Sequence, residues 1–138
     1  MSLTRGEFLD SNILVYAFTA DRRAAVAQGL LEGGGIISVQ GLNEFASVAR
    51  RKLAMTWHEV RESLAAIRTL CRTILPLDIE THEGGLRIAE CYGYSMFDAL
   101  IIASALRADC STLWSEDMQD GIVIDGRLRI ADPFRTTC

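Results

Sequence analysis

Residues 8–16 read Phe-Leu-Asp-Ser-Asn-Ile-Leu-Val-Tyr, and this stretch most restricts what the chain can fold into. An apolar approach breaks off at an acid, a hydroxyl and an amide, and apolar residues then resume. The pattern predicts a short buried strand, about residues 7–10, whose carboxyl end turns directly into a helix. Ser11 and Asn12 are expected as caps, since a side-chain oxygen accepts from the open N–H groups of a first helical turn. Asp10 is expected at the carboxyl edge of a central strand, where open α/β sheets bind their ligands. An acid there is either a residue of metal or phosphate chemistry or a helix cap, and this stretch alone leaves both readings open.

The rest of the chain alternates strand and helix signals. Helices are expected over residues 13–18 and 22–31, the second ending at Gly33-Gly34-Gly35. Three glycines after a helix and before a strand stand in the reverse order to a phosphate loop and read as a turn. A strand follows at 36–39, then a helix at 40–52 with Leu42, Phe45, Ala46 and Ala49 at helical spacing. Thr56 and Glu59 form a capping-box pattern that opens a helix reaching about Cys71. A strand at 73–75, a helix at 79–92 and a break at Gly93-Tyr94-Ser95 lead to the most apolar helix, 96–106, which must be central. Strands are expected at 110–114, 122–124 and 128–130. This alternation implies an α/β fold whose mostly parallel sheet, of about five strands, carries helices on both faces.

A chain of 138 residues, 49% of them hydrophobic, suits a single domain, 1–138, with a real core. The longest apolar runs fall far short of a membrane span and the start lacks the pattern of a signal peptide, so a cytoplasmic protein is expected. Cys71, Cys91, Cys110 and Cys138 contain no C-x-x-C pair and read as reduced or incidental. His58 and His82 have no second ligand at zinc spacing. A net charge of −4 argues against a protein that coats nucleic acid. Lys52 is nevertheless the sole lysine among 14 basic residues; the others are arginines, whose planar fork grips phosphate or carboxylate.

Four acids share one property. Asp10 and Asp117 follow strands; Glu44 and Asp98 stand near the amino ends of helices. Right-handed crossovers bring all four positions to one rim of the sheet. Gathered carboxylates repel and lose solvation, which stabilises nothing unless cations sit between them. Oxygen donors without His or Cys suit Mg²⁺ or Mn²⁺, and such ions held with open positions serve phosphoryl chemistry.

The segments around these acids carry a resemblance: Phe-Leu-Asp10-Ser-Asn-Ile-Leu-Val-Tyr, Leu-Asn-Glu44-Phe, Phe-Asp98-Ala-Leu-Ile and Leu-Trp-Ser-Glu-Asp117-Met-Gln-Asp-Gly. The chain resembles PIN domains, and most of all the VapC-type toxin ribonucleases of toxin–antitoxin pairs. Its close, Ala-Asp132-Pro-Phe, is similar to the family's Asn-Pro-Phe. The resemblance implies a three-layer PIN fold and metal-dependent cleavage of RNA, with Asp10, Glu44, Asp98 and Asp117 as catalytic, metal-binding acids and one or two Mg²⁺ or Mn²⁺ ions. It implies supporting roles for Asn12, Ser115 and Asp120, the last as a further ligand or as a turn residue before Gly121. Arg51, Lys52, Arg22 and Arg23 are candidates for holding the RNA backbone. A cognate antitoxin and a homodimer are the implied protein partners. Two rival readings are an inactive PIN-like interaction module and a haloacid-dehalogenase-type phosphatase. The latter wants a second Asp where Asn12 stands, and a lysine later than Lys52.

Overall fold

The computed structural model describes residues 6–135, so Cys138 lies outside the described residues. The elements run β1 (Glu7–Leu9), α1 (Ser11–Tyr16), α2 (Ala24–Glu32), β2 (Ile37–Ser38), α3 (Val39–Arg51), α4 (Trp57–Leu70), β3 (Ile74–Leu75), α5 (Ile79–Tyr92), α6 (Met96–Arg107), β4 (Thr112–Trp114), β5 (Val123–Ile124) and β6 (Leu128–Ala131).

The sheet is mostly parallel, as expected, but it is divided. Strands β1, β4, β6 and β5 form one ladder, with only β5 antiparallel, and β2 pairs with β3 in a second. One parallel bridge, Phe8 to Ile36, joins the two ladders. There the Leu9 N–H donates to the Ile36 carbonyl at 2.9 Å, and the Ile36 N–H to the Glu7 carbonyl at 2.8 Å. The resulting order is β3-β2-β1-β4-β6-β5.

Strand alternation explains the three layers. Successive residues point to opposite faces, so Phe8 enters one core with α5, α6 and Leu113, while Leu9 enters the other with α1–α4. Ile36 and Ile37 divide between the same two cores. Helix α6 is buried at every position from Ala99 to Leu106, as its sequence requires, apolar there except for Ser104. It lies tight against α5: a Cβ on Gly85 would come within 2.9 Å of Leu100 Cδ2, so glycine there lets the two helices approach. Gly93 ends α5 at φ +79°, the left-handed exit that glycine adopts without strain.

Several local expectations need correction. Asp10 is not in the strand; it is the N-cap of α1, and Ser11 and Asn12 are the first residues of that helix. The acid ends the ladder because its own side chain turns back to the Ser11 N–H. Helix α1 stops at Tyr16 and α2 starts at Ala24, after an Asp21 side chain has claimed the Arg23 N–H at 2.9 Å. Val39 is helical, because Ser38 caps α3 from its side chain to the Gly41 N–H at 3.1 Å. The capping box of Thr56 and Glu59 is present as read. Cys71 and Cys110 are buried free thiols, and Cys91 is an exposed one. Among the described residues no helix is long and apolar enough to cross a membrane.

Candidate active site

The parallel pairing of β1 with β4 decides where the acids meet. The Asp10 N–H donates to the Trp114 carbonyl at 3.0 Å, so the chain leaves both strands side by side. Asp10 and the segment Ser115–Asp117 therefore share one edge. Helix α3 starts at the carboxyl end of β2, and α6 brings its amino end toward the same rim.

Asp10 is only 4% exposed. Its Oδ1 accepts from the Ser11 N–H at 2.7 Å, and its Oδ2 from the hydroxyl of the fully buried Ser115, also at 2.7 Å. The Ser11 hydroxyl donates to Glu44 Oε1 at 3.1 Å and thereby ties two of the acids together. Gln40 Nε2 holds the other Glu44 oxygen at 2.9 Å. Asn12 Nδ2 donates to Asp117 Oδ2 at 3.2 Å, while its Oδ1 accepts from the Glu116 N–H at 3.4 Å. One amide thus grips the loop on both sides of its peptide. Asp98 lies in the first turn of α6, where its N–H donates to the Ser95 hydroxyl at 3.3 Å and the helix dipole favours an anion.

Charge couples the four. Burial, opposed by the hydrogen bonds from Ser115 and Ser11 and reinforced by the charges of Glu44 and Asp98, pushes the Asp10 carboxyl up to about 7. Burial also raises Asp98, with the Asp117 charge acting in the same sense. A cation at the rim would relieve both.

The donor set suits a hard divalent ion, being all oxygen with Asp10 left uncompensated. Among the described residues no three His, Cys, Asp or Glu groups stand close enough to enclose one.

A cleft of about 470 Å³ runs from these acids between α1 and α3, lined by Ser11, Asn12, Glu44 and Asp117 at one end and by Val48, Lys52 and Leu53 toward the other. Of the basic candidates, Lys52 lines this cleft, and Arg22 and Arg51 are exposed. Arg23 is engaged elsewhere: it pairs with Glu116 at 2.9 Å and Asp21 at 3.0 Å and lies over the Tyr16 ring. The Tyr16 hydroxyl donates to Glu116 at 2.7 Å, a bond that pushes the phenol up to about 12. Asp120 is not brought to the cluster. Its oxygens take the Asp132 N–H at 2.8 Å and Arg135 at 2.9 Å, in a separate hollow of about 490 Å³. It braces the chain's closing turn, and those bonds hold its carboxyl below the usual range.

Gln40, Ser95 and the Tyr16–Glu116–Arg23 brace support the site without being among the residues expected from sequence. Ser95 was open to discovery, since Ser-x-x-Asp before an apolar run is a capping pattern. Gln40 and the brace carry no local signal.

The PIN domain family model matches residues 8–119, which include all four acids. The chain belongs to the PIN domain family. Solved structures agree in fold. A chain of a toxin–antitoxin complex from Klebsiella pneumoniae superposes with a TM-score of 0.71 at 21% identity, covering 95% of this chain and 99% of that one. VapBC2 from Rickettsia felis, solved with a fragment of promoter DNA, gives 0.65 at 18%, covering 91% and 98%. VapC20 of Mycobacterium tuberculosis, a toxin that cleaves the sarcin–ricin loop, gives 0.61 at 16%, covering 78% and 87%. Among curated proteins none matches the sequence. Membership of the PIN domain family leaves the dehalogenase-type phosphatase reading without support.

Proposed function

We propose that this protein is a metal-dependent endoribonuclease and the toxin of a type II toxin–antitoxin pair. The observation that carries the reading is the buried Asp10 carboxyl, held by Ser115 and Ser11 within the negative field of Glu44 and Asp98 at the carboxyl edge of a PIN sheet. A buried acid beside two others would be stabilised by a cation, which supports the metal reading. The likeness to toxins of known toxin–antitoxin complexes supports the biological setting.

Asp10 and Asp98 would hold Mg²⁺ or Mn²⁺, one ion or two, with Asp117 and Glu44 reaching it through bound water. Such an ion supplies Lewis acidity, making water a nucleophile near neutral pH and neutralising charge on a phosphodiester. The chain's own residues do the rest. Ser115 and the Ser11 N–H fix both oxygens of Asp10, and Asn12 fixes Asp117. Glu44, oriented by Ser11 and Gln40, stands beside them and is assigned as the proton acceptor for the attacking water. In-line attack by water leaves 3′-hydroxyl and 5′-phosphate ends. The partners are RNA, an antitoxin whose peptide covers the rim, and a second copy of the chain; the setting is the cytoplasm.

Purified protein should cleave single-stranded or loop RNA with Mg²⁺ or Mn²⁺ and stop on chelation. Cleavage that persists unchanged in EDTA rejects the metal mechanism. No cleavage of any RNA by metal-loaded protein leaves the inactive interaction module as the reading.

A further inference from the structure

We propose that the corner between α3 and α4 is the surface that grips the RNA strand, with Lys52 taking a phosphate and Trp57 stacking on a base. The inference rests on the ribonuclease reading above and extends it from the reacting phosphate to the strand around it.

Charge and shape point the same way. The cleft that begins at the acids reaches Lys52, the sole lysine of the chain, at the carboxyl end of α3. Glu44 and Lys52 are eight residues apart along that end of the helix, roughly 12 Å at the helical rise, so the cation lies beyond the reacting phosphate rather than on it. Arg51, also exposed, occupies the same last turn, while Arg50 beside it is turned to Trp57 and the Met55 carbonyl. A strand with one phosphate at the carboxylate rim can thus lay its neighbouring phosphates toward this basic end. The walls between are apolar, formed in part by Val15, Val48 and Leu53.

Trp57 stands just past this turn and is 62% exposed. The Arg50 guanidinium lies 4.6 Å from the centre of its ring, and Arg50 also donates to the Met55 carbonyl at 2.8 Å. The Met55 N–H bonds back to the Ala49 carbonyl at 3.1 Å, and the Thr56–Glu59 capping box fixes the first turn of α4. The indole is therefore held open on a rigid corner, backed by a cation. Aromatic faces so placed beside basic residues are how proteins hold single strands without reading sequence, and prior rigidity lowers the entropy lost on binding. Exposing an indole stabilises nothing by itself, since its burial would be favourable.

The test uses the Asp98→Asn protein with Mn²⁺ and an unstructured 12-nucleotide RNA, so that the strand is bound but not cut. Binding should quench tryptophan emission, and Trp57→Phe should remove the quenching while keeping most of the affinity. The second tryptophan, Trp114, serves as the internal control, since its indole N–H is bonded to Glu7. Trp57→Ala should weaken binding about tenfold or more. Lys52→Gln should reduce the slope of log affinity against log salt by roughly 0.7, the value for one phosphate on a single strand, and Lys52→Arg should restore it. Unchanged affinity and slope in both Trp57→Ala and Lys52→Gln, while the parent still cuts RNA, would overturn the gripping surface and leave the ribonuclease reading intact. Quenching that follows protein concentration rather than RNA would assign the corner to self-association and equally overturn it. If no RNA is bound by this protein or cut by the parent, both readings fall.

Discussion

Replacing Asp10 by Asn isolates the cost of keeping a carboxylate in the rim. Folding raises this group from 3.8 to about 7. Because the folded pKa lies above the unfolded one, the folded protein binds the extra proton between those values. Stability therefore falls as pH rises from about 4 to about 7 and levels off beyond. Three units at ~1.36 kcal/mol each give about 4 kcal/mol at pH 8, an upper figure for the penalty of ionised Asp10 in metal-free protein. Asparagine keeps an oxygen for the Ser11 N–H, and asparagine caps helices as well as aspartate does. Its amide, however, faces the Ser115 hydroxyl that now donates to Oδ2, so that hydroxyl must rotate, at a cost of about 1 kcal/mol. Allowing also for relaxation of the buried site, we expect metal-free Asp10→Asn to be more stable than the parent by about 2 kcal/mol at pH 8. At pH 5, where Asp10 is already protonated, the two should be equal or the variant slightly worse. Urea titrations of both metal-stripped proteins at the two pH values measure this directly. Adding millimolar Mn²⁺ at pH 8 should raise the melting temperature of the parent by mass action and scarcely move the variant. A variant less stable than the parent at both pH values, yet stabilised by Mn²⁺ to the same degree, would refute the argument and make Asp10 a structural cap.

Other outcomes follow from the same contacts. Ser115→Ala removes a hydrogen bond to a buried charged group and should cost roughly 1.5–3 kcal/mol at pH 8, with a smaller loss at pH 5; an equal loss at both values by urea titration would show that packing, not the Asp10 charge, is at stake. Asp98→Asn should abolish RNA cleavage with an unchanged circular-dichroism spectrum, and cleavage at the parental rate would reduce Asp98 to a helix-start residue. Phe8→Ala, at a fully buried site between the sheet and α6, should destabilise by about 3–5 kcal/mol in denaturant titration. A cognate antitoxin should inhibit by setting a cationic side chain among the acids, so its peptide should compete with Mn²⁺ in a binding titration; simultaneous binding of both would contradict this.

Much of this protein was legible in its sequence because the relevant physics is local. The alternation of short apolar runs with 3.6-residue stripes determined the α/β order, and apolarity over residues 99–106, broken only by Ser104, determined that one helix would be enclosed. The Thr56–Glu59 box and the Gly93 stop are chemistry within one turn of chain. The four acids could be gathered on paper because parallel topology puts strand ends and helix starts on one edge.

Tertiary structure decided what depends on partners far apart in sequence. Asp10 proved to be a cap as well as a candidate ligand, since its second oxygen is met by Ser115, 105 residues away. Asp120 was drawn off to Asp132 and Arg135, and Arg23 to Glu116. No spacing rule could foresee these, because each side chain chose among neighbours that only the folded sheet supplies. The division of the sheet at Phe8–Ile36 belongs to the same class: strands of two to four residues read alike in sequence, and register across the ladders alone determines which of them pair.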